Sequence, residues 1–196
     1  MNTARYVLAL FLVITLPPLF LYWLLIHPLV DFWRGKGIAP AYTAILSAIG
    51  AAMIGLFSLR HYLLSIDYGT NYLLAALGVA LLVVAGSLRL KLHKHLDLKT
   101  LLGLPEIAPD RFPRQLITEG IYARIRHPRY VQLLIALVGY ALIANYFAAY
   151  FAVALWLPGI YIIARLEEKE LRIHFGDAYD DYCRKVPRFL PKLKDH

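Results

Sequence analysis

Residues 130–164 read YVQLLIALVGYALIANYFAAYFAVALWLPGIYIIA, 35 positions without one charged side chain. As a single helix this stretch would rise about 52 Å, far more than the roughly 30 Å of hydrocarbon in a bilayer. Two shorter helices turning near Asn145 and Tyr146 fit the length better. One helix gives a chain of four membrane spans, and a hairpin gives five.

The rest of the chain is read outward from that choice. Of its 196 residues 60% are hydrophobic and 17% charged, with a formal net charge of +8, a balance too apolar for a soluble domain of this length. Three further apolar runs, 6–26, 42–59 and 72–88, are long enough to be spans. The first has no basic leader beyond Arg5 and no small-residue cleavage site, so a mature span is expected rather than a signal peptide. Pro17 and Pro18 are expected to kink or break it. Cytoplasmic loops collect Lys and Arg. With five spans and the N-terminus outside, 19 of the 21 basic residues fall inside, leaving only Arg5 and Arg60 outside. Four spans would carry the basic C-terminal tail to the opposite face. The expected fold is therefore all-α and integral to the membrane, with five transmembrane helices including a C-terminal hairpin. Residues 1–88 supply three spans, 89–129 a cytosolic or interfacial connector, 130–164 the hairpin and 165–196 a cytosolic helical tail, all in one domain.

In the connector, Leu88, Leu90, Leu92, Leu96, Leu98 and Leu101 alternate with polar residues, which suits a segment lying at the interface with its basic side toward anionic headgroups. Pro105, Pro109 and Pro113 forbid a continuous helix there. His93 and His95 would point to different sides of a helix and read as solvated residues rather than metal ligands. The lone Cys183 excludes an internal disulfide and a Cys-rich metal site. No metal and no nucleic-acid partner are expected.

The charged residues that flank the hairpin carry the chemistry. Pro128 fits the first position of a helix, where its missing N–H costs nothing, and it makes His127 the cap. Arg124, Arg126 and Arg129 stand around that helix start, whose free N–H groups and dipole favour an anion. Beyond the hairpin, Arg165, Glu168 and Arg172 fall on one helical face. A hairpin returns residue 165 to the depth at which residue 129 left, so both clusters share one mouth. Phe175, Tyr179 and Tyr182 have helical spacing and read first as a packing stripe, with Gly176 as a helix stop, Asp177 as a new cap, and Pro187 and Pro191 holding the chain end extended.

Gly120-x-Tyr122, Arg126-His127-Pro128-x-Tyr130, Glu167-Glu168-x-x-Leu171, Phe175-Gly176-x-x-Tyr179-x-x-Tyr182 and Val186-Pro187-Arg188-Phe189-x-Pro191, in that order around an apolar hairpin, resemble the isoprenylcysteine carboxyl methyltransferase family of integral membrane enzymes. The resemblance covers roughly residues 118–191. It implies S-adenosylmethionine at the cytosolic end of the hairpin, closed in by the tail, and a lipidic methyl acceptor entering from the bilayer. It also implies that Tyr122, His127, Pro128, Tyr130, Glu167 and Glu168 hold the cofactor, while Arg126, Arg165 and Glu168 serve the reaction.

The chemistry of these residue types is compatible. Methyl transfer from a sulfonium needs positioning and exclusion of water more than a metal or a covalent nucleophile. A carboxylate acceptor needs an Arg to orient it. An amine acceptor needs a base, for which Glu167, Glu168 or His127 is available. Both acceptors stay open at this point, as do a nicotinamide-dependent membrane reductase, which shares part of the Arg-His-Pro signature, and a non-enzymatic scaffold binding anionic lipid.

Overall fold

The computed structural model describes residues 2–92, 104–107, 111 and 115–191. His93, His95, Pro109 and Pro113 lie outside the described residues. The described chain is helical: α1 (Asn2–Ile26), α2 (Val30–Lys36), α3 (Ile38–Ser58), α4 (Arg60–Leu63), α5 (Tyr72–Leu92), α6 (Leu104–Ile107), a 3-10 turn (Gly120–Ala123), α7 (Pro128–Ala144), α8 (Phe147–Phe175) and α9 (Asp177–Lys185). Among the described residues four helices, in α1, α3, α5 and α8, are long and apolar enough to cross a membrane, which makes the chain a multi-pass membrane protein. The fifth apolar helix, α7, is shorter; its 17 residues rise about 26 Å.

The long apolar stretch does break where its length required. Asn145 ends α7 in the left-handed conformation (φ 56°, ψ 47°), which a short polar side chain tolerates far better than the β-branched residues nearby. Its amide donates to Gly69 O at 2.9 Å and its oxygen accepts from Tyr150 at 2.8 Å. α1 stays one helix through Pro17 and Pro18, so no break occurs. Just before the pair, Leu16 O accepts the Trp156 indole N–H of α8 at 2.9 Å, a neighbouring-helix contact of the sort that lets membrane helices carry proline. The change from apolar to charged sequence at residue 165 does not end a helix either. α8 runs on to Phe175 and stops only at Gly176 (φ 53°), which caps both α8 and α9, leaving Asp177 as the first residue of α9 instead of its cap.

α1 packs against α3, α7 and α8, and α5 packs along α7. The α5–α7 crossing is antiparallel and very close. A Cβ on Gly78 would stand 2.6 Å from Gly139 O, and one on Gly139 would stand 2.8 Å from Gly78 O. Membrane helices approach this way when only small residues lie between them. The core runs along α1, α7 and α8 and includes Leu12, Leu16, Ile26, Tyr130, Trp156 and Ile163.

The helices alternate in direction, so their ends gather at two poles. At one pole Arg5 of α1 pairs with Asp67 and donates to Ala144 O (3.0 Å) and Asn145 O (3.4 Å) at the α7–α8 turn. Tyr68 N and Phe147 N add backbone bonds to Asn145 O and Ile66 O. At the other pole the end of α1, the start of α7 and the charged part of α8 come together.

Candidate active site

α7 starts at Pro128, and His127 occupies the capping position (φ −120°, ψ 57°). Its ring does not cap the helix but turns toward the carboxylates of α8. The Arg126 and His127 N–H groups donate to Pro187 O (2.9 Å) and Arg188 O (3.0 Å), while the Tyr130 and Val131 N–H groups return to His127 O. The expected array of free N–H groups is thus largely satisfied by the chain itself. The resident anion of this pole is Glu168.

Glu168 is completely buried and surrounded by three basic side chains, those of Arg126, His127 and Arg188. Arg126 reaches its Oε1 through Nε (3.2 Å) and Nη2 (2.9 Å), and His127 Nε2 lies 3.1 Å from the same atom. Arg188 grips both oxygens, Nε to Oε1 at 2.9 Å and Nη2 to Oε2 at 2.6 Å. This fork-to-carboxylate contact raises the Arg188 guanidinium further above its usual value. Arg126 also donates through Nη1 to Cys183 O (3.0 Å) and Val186 O (2.6 Å). One carboxylate and one guanidinium therefore bind the start of α7, the middle of α8 and the segment after α9 into a single unit. Around it Tyr179, Tyr182 and Val186 form a second small core with Leu116, Leu171, Phe175 and Cys183, so the aromatic stripe packs. Burial pushes the Tyr182 phenol up to about 12, and its O–H donates to Tyr122 O at 2.7 Å. The Tyr122 phenol is also raised by burial.

Glu167, next in sequence, differs. Its side chain is 21% exposed. Tyr130 donates its phenolic O–H to Oε1, His127 Nδ1 lies 3.6 Å from Oε2, and His27 Nε2 lies 3.9 Å from Oε1. The His127 ring sits between Tyr130 (5.7 Å) and Phe189 (5.8 Å). His127, Pro128, Tyr130, Glu167, Glu168 and Arg126 are thus brought together, with Tyr122 beside them through Tyr182.

Arg165 and Arg172 are not part of this cluster. Glu168 turns inward from their shared helix face, whereas both arginines are exposed and Arg172 pairs with Asp180 at 2.8 Å. They line an open groove of about 490 Å³ along the outer side of α8, with Tyr161, Ile162, Leu166, Lys169 and Ile173. Arg188 links groove and cluster, its guanidinium lying 5.2 Å from the centre of the Tyr161 ring.

Arg188 stands in one of the sequence motifs with no role assigned to it there, and His27 stands outside every motif. The signal for His27 was present: an ionisable side chain at the very end of an apolar span asks for a partner. Arg188 had no comparable local signal, because its carboxylate is 20 residues away in sequence.

Residues 73–178 match the phospholipid methyltransferase family. The chain belongs to that family of integral membrane methyltransferases. The match starts in α5, well before the motifs, so in this phospholipid methyltransferase family member it takes in both helices of the α5–α7 pair. Among curated proteins it is similar to protein-S-isoprenylcysteine O-methyltransferase of Schizosaccharomyces pombe (38% identical over 82 residues, 40% of this chain and 34% of that one). It is also similar to protein-S-isoprenylcysteine O-methyltransferase B of Arabidopsis thaliana (37% over 81 residues, 39% and 40%) and to the nickel-cobalt-cadmium resistance protein NccN of Alcaligenes xylosoxydans (32% over 80 residues, 40% and 37%). The similar stretch spans only about a third to two-fifths of each of these relatives.

Proposed function

We propose that the chain is an S-adenosylmethionine-dependent methyltransferase acting on a membrane-embedded acceptor, with carboxyl methylation of an isoprenylcysteine-like substrate as the best-supported reaction. The observation that carries this reading is the contrast between two adjacent carboxylates. Glu168 is buried and saturated, while Glu167 is partly open, oriented by Tyr130 and flanked by His127. An accessible, oriented carboxylate beside aromatic rings fits the ammonium end of S-adenosylmethionine. That cofactor, when bound, supplies a methyl group already activated on sulfur.

The roles of the chain's residues follow. Glu167 accepts hydrogen bonds from the ammonium, Tyr130 fixes the Glu167 rotamer, and His127, Pro128 and Tyr122 shape the wall. Arg126 and Glu168 are positioning residues that hold the tail over the start of α7 and exclude water. Arg165, exposed on α8, orients an acceptor carboxylate, which is ionised at neutral pH and needs no base. The two isoprenylcysteine O-methyltransferases among the relatives favour this acceptor. The family match favours a second reading, N-methylation of an aminophospholipid, in which Glu167 or His127 takes the amine proton.

In this proposal α7 and α8 both cross the bilayer, the N-terminus and Arg60 lie outside, and the site faces the cytosol with anionic headgroups around it. Support comes from the two poles, which separate Arg5 and Asp67 from the Glu168 cluster by the length of the bundle. Labelling Ser65→Cys and Asp181→Cys in a Cys183→Ser chain tests it; modification of both from one side removes the five-span arrangement.

Calorimetric titration of the purified chain with S-adenosylmethionine, and in parallel with a reduced nicotinamide dinucleotide, tests the cofactor. Binding of the dinucleotide alone supports a reductase, and binding of neither supports a lipid-binding scaffold. Transfer of labelled methyl to a prenylcysteine analogue or to phosphatidylethanolamine in vesicles then selects the acceptor.

A further inference from the structure

We propose that His27, in the part of the chain that precedes the family match, is a positioning residue for Glu167 and releases its proton when a cationic ligand occupies the site. The inference rests on the cofactor reading above and extends the site to the first span.

His27 directly follows α1, and its N–H continues the helix by donating to Trp23 O at 3.1 Å. The side chain is fully buried. Nδ1 lies 2.5 Å from Glu170 Oε1, Nε2 lies 3.9 Å from Glu167 Oε1, and the ring stacks on Trp23 at 5.1 Å with planes 14° apart. Glu167 and Glu170 are three apart on α8 and present their carboxylates to the same side. The imidazole stands between them.

That seat selects a charge state. A neutral imidazole has one N–H and one lone pair, so it can donate to only one of the two carboxylates. The imidazolium donates to Glu170 through Nδ1 and stands at ion-pair distance from Glu167 through Nε2, and two nearby negative charges favour it. Among the described residues, α7 brings further charged or titratable groups to this seat: His127 and Tyr130, which touch Glu167 from the other side, and Arg129, whose guanidinium lies 5.6 Å from the centre of the Trp23 ring.

Glu167 is therefore shared. In the absence of ligand, His27 holds it from the α1 side. A ligand ammonium placed against Glu167 brings a second positive charge to the same carboxylate, and two cations at such range repel. His27 then loses its Nε2 proton to solvent. No bond other than N–H is broken, and the proton passes to buffer. The sign follows from linkage: ligand binding is favoured by the deprotonated ring, so affinity rises with pH through the range in which imidazole titrates, about 5 to 8.

The test uses the full chain in nanodiscs, as wild type, His27→Gln and Glu170→Gln. S-adenosylmethionine affinity is measured by calorimetry across pH 5.5–7.5 in two buffers of different ionisation heat, which counts the protons released. Emission of Trp23, isolated by difference from Trp23→Phe, follows His27 protonation in ligand-free protein. We expect the wild type to release about half a proton near pH 6.5 and to bind about tenfold tighter at the top of the range than at the bottom. His27→Gln is expected to release none and to bind with little pH dependence. Glu170→Gln is expected to shift the Trp23 transition to lower pH. A pH slope that survives in His27→Gln, or a folded wild type without a Trp23 transition, overturns the proposal. If His27→Gln does not fold, an unshifted transition in Glu170→Gln overturns it. A wild type that binds no S-adenosylmethionine at any pH while keeping its Trp23 transition removes the cofactor reading and the linkage with it, a pattern distinct from the failure of His27 alone.

Discussion

The two poles of the bundle solve the same problem with different means. At each, an arginine is drawn out of water and ties together segments far apart in sequence. Arg5 does so with one partly exposed carboxylate, Asp67, and with the carbonyls at the end of α7, which need no countercharge. The opposite pole buries a carboxylate completely and surrounds it with Arg126, Arg188 and His127. It also keeps a second carboxylate, Glu167, partly open beside the first. A pole built only for closure resembles the first. The surplus of oriented acid and base at the second is the difference that function accounts for, and it can be attacked from either side.

The largest effect is expected from Glu168→Gln. Breaking a buried ion pair by removing one partner costs about 3 to 5 kcal/mol, because the remaining charges stay buried without compensation. The variant should melt at clearly lower temperature in detergent, and residues 176–191 should become sensitive to protease. An unchanged melt would make the two poles energetically alike.

Glu167→Gln should separate binding from folding. The melt should barely move, since this carboxylate is partly solvated, while S-adenosylmethionine affinity falls by roughly tenfold to hundredfold, the loss of a hydrogen bond to a charged group worth about 1.5 to 3 kcal/mol. Calorimetry alongside a thermal scan checks both. Equal affinity would take the ammonium away from Glu167.

Much of this contrast was legible in the sequence, though unevenly. The turn at Asn145 followed from length alone, because 35 uncharged residues overfill a bilayer. The Pro128 helix start followed from the chemistry of proline. What sequence could not supply was the inward or outward turn of neighbouring groups on one helix. Glu167 and Glu168 are both expected at the cofactor, with Glu168 also grouped with Arg165, yet their burial differs because the tail folds back onto only one of them, through Arg188. Arg165, grouped with Glu168 by helical spacing, faces outward for the same reason: the face that spacing defines is wider than the surface the tail covers. Arg5 read as one of two stray outside charges, since its partners at 67, 144 and 145 become neighbours only when the bundle closes.

Arg126→Lys probes whether shape or charge holds the second pole. Lysine can still meet Glu168 but has no planar fork to reach the Cys183 and Val186 carbonyls at the same time. Insertion and labelling pattern should stay normal. Methyl transfer, once an acceptor is in hand, should fall by about tenfold, equivalent to about 1.4 kcal/mol. Full activity would reduce Arg126 to a topological charge.

The smallest effect is expected at the first pole, from Asp67→Asn. Burial alone would raise this carboxyl, but the Gly69 N–H and the Arg5 guanidinium outweigh it and hold the group below its usual value. A carboxylate with a depressed folded value contributes stability above its unfolded pKa of about 4, and that contribution is lost as pH falls through the folded value. The side chain is 36% exposed, so solvent screens the pair and the contribution should be under about 1 kcal/mol. Arg5 also keeps its bonds to the Ala144 and Asn145 carbonyls when Asp67 is neutral. Melting temperatures measured from pH 7 to pH 3 should therefore show a small deficit for Asp67→Asn at neutral pH that closes below about pH 4. A deficit as large as that of Glu168→Gln, or one that persists in acid, would mean that the first pole also depends on its ion pair.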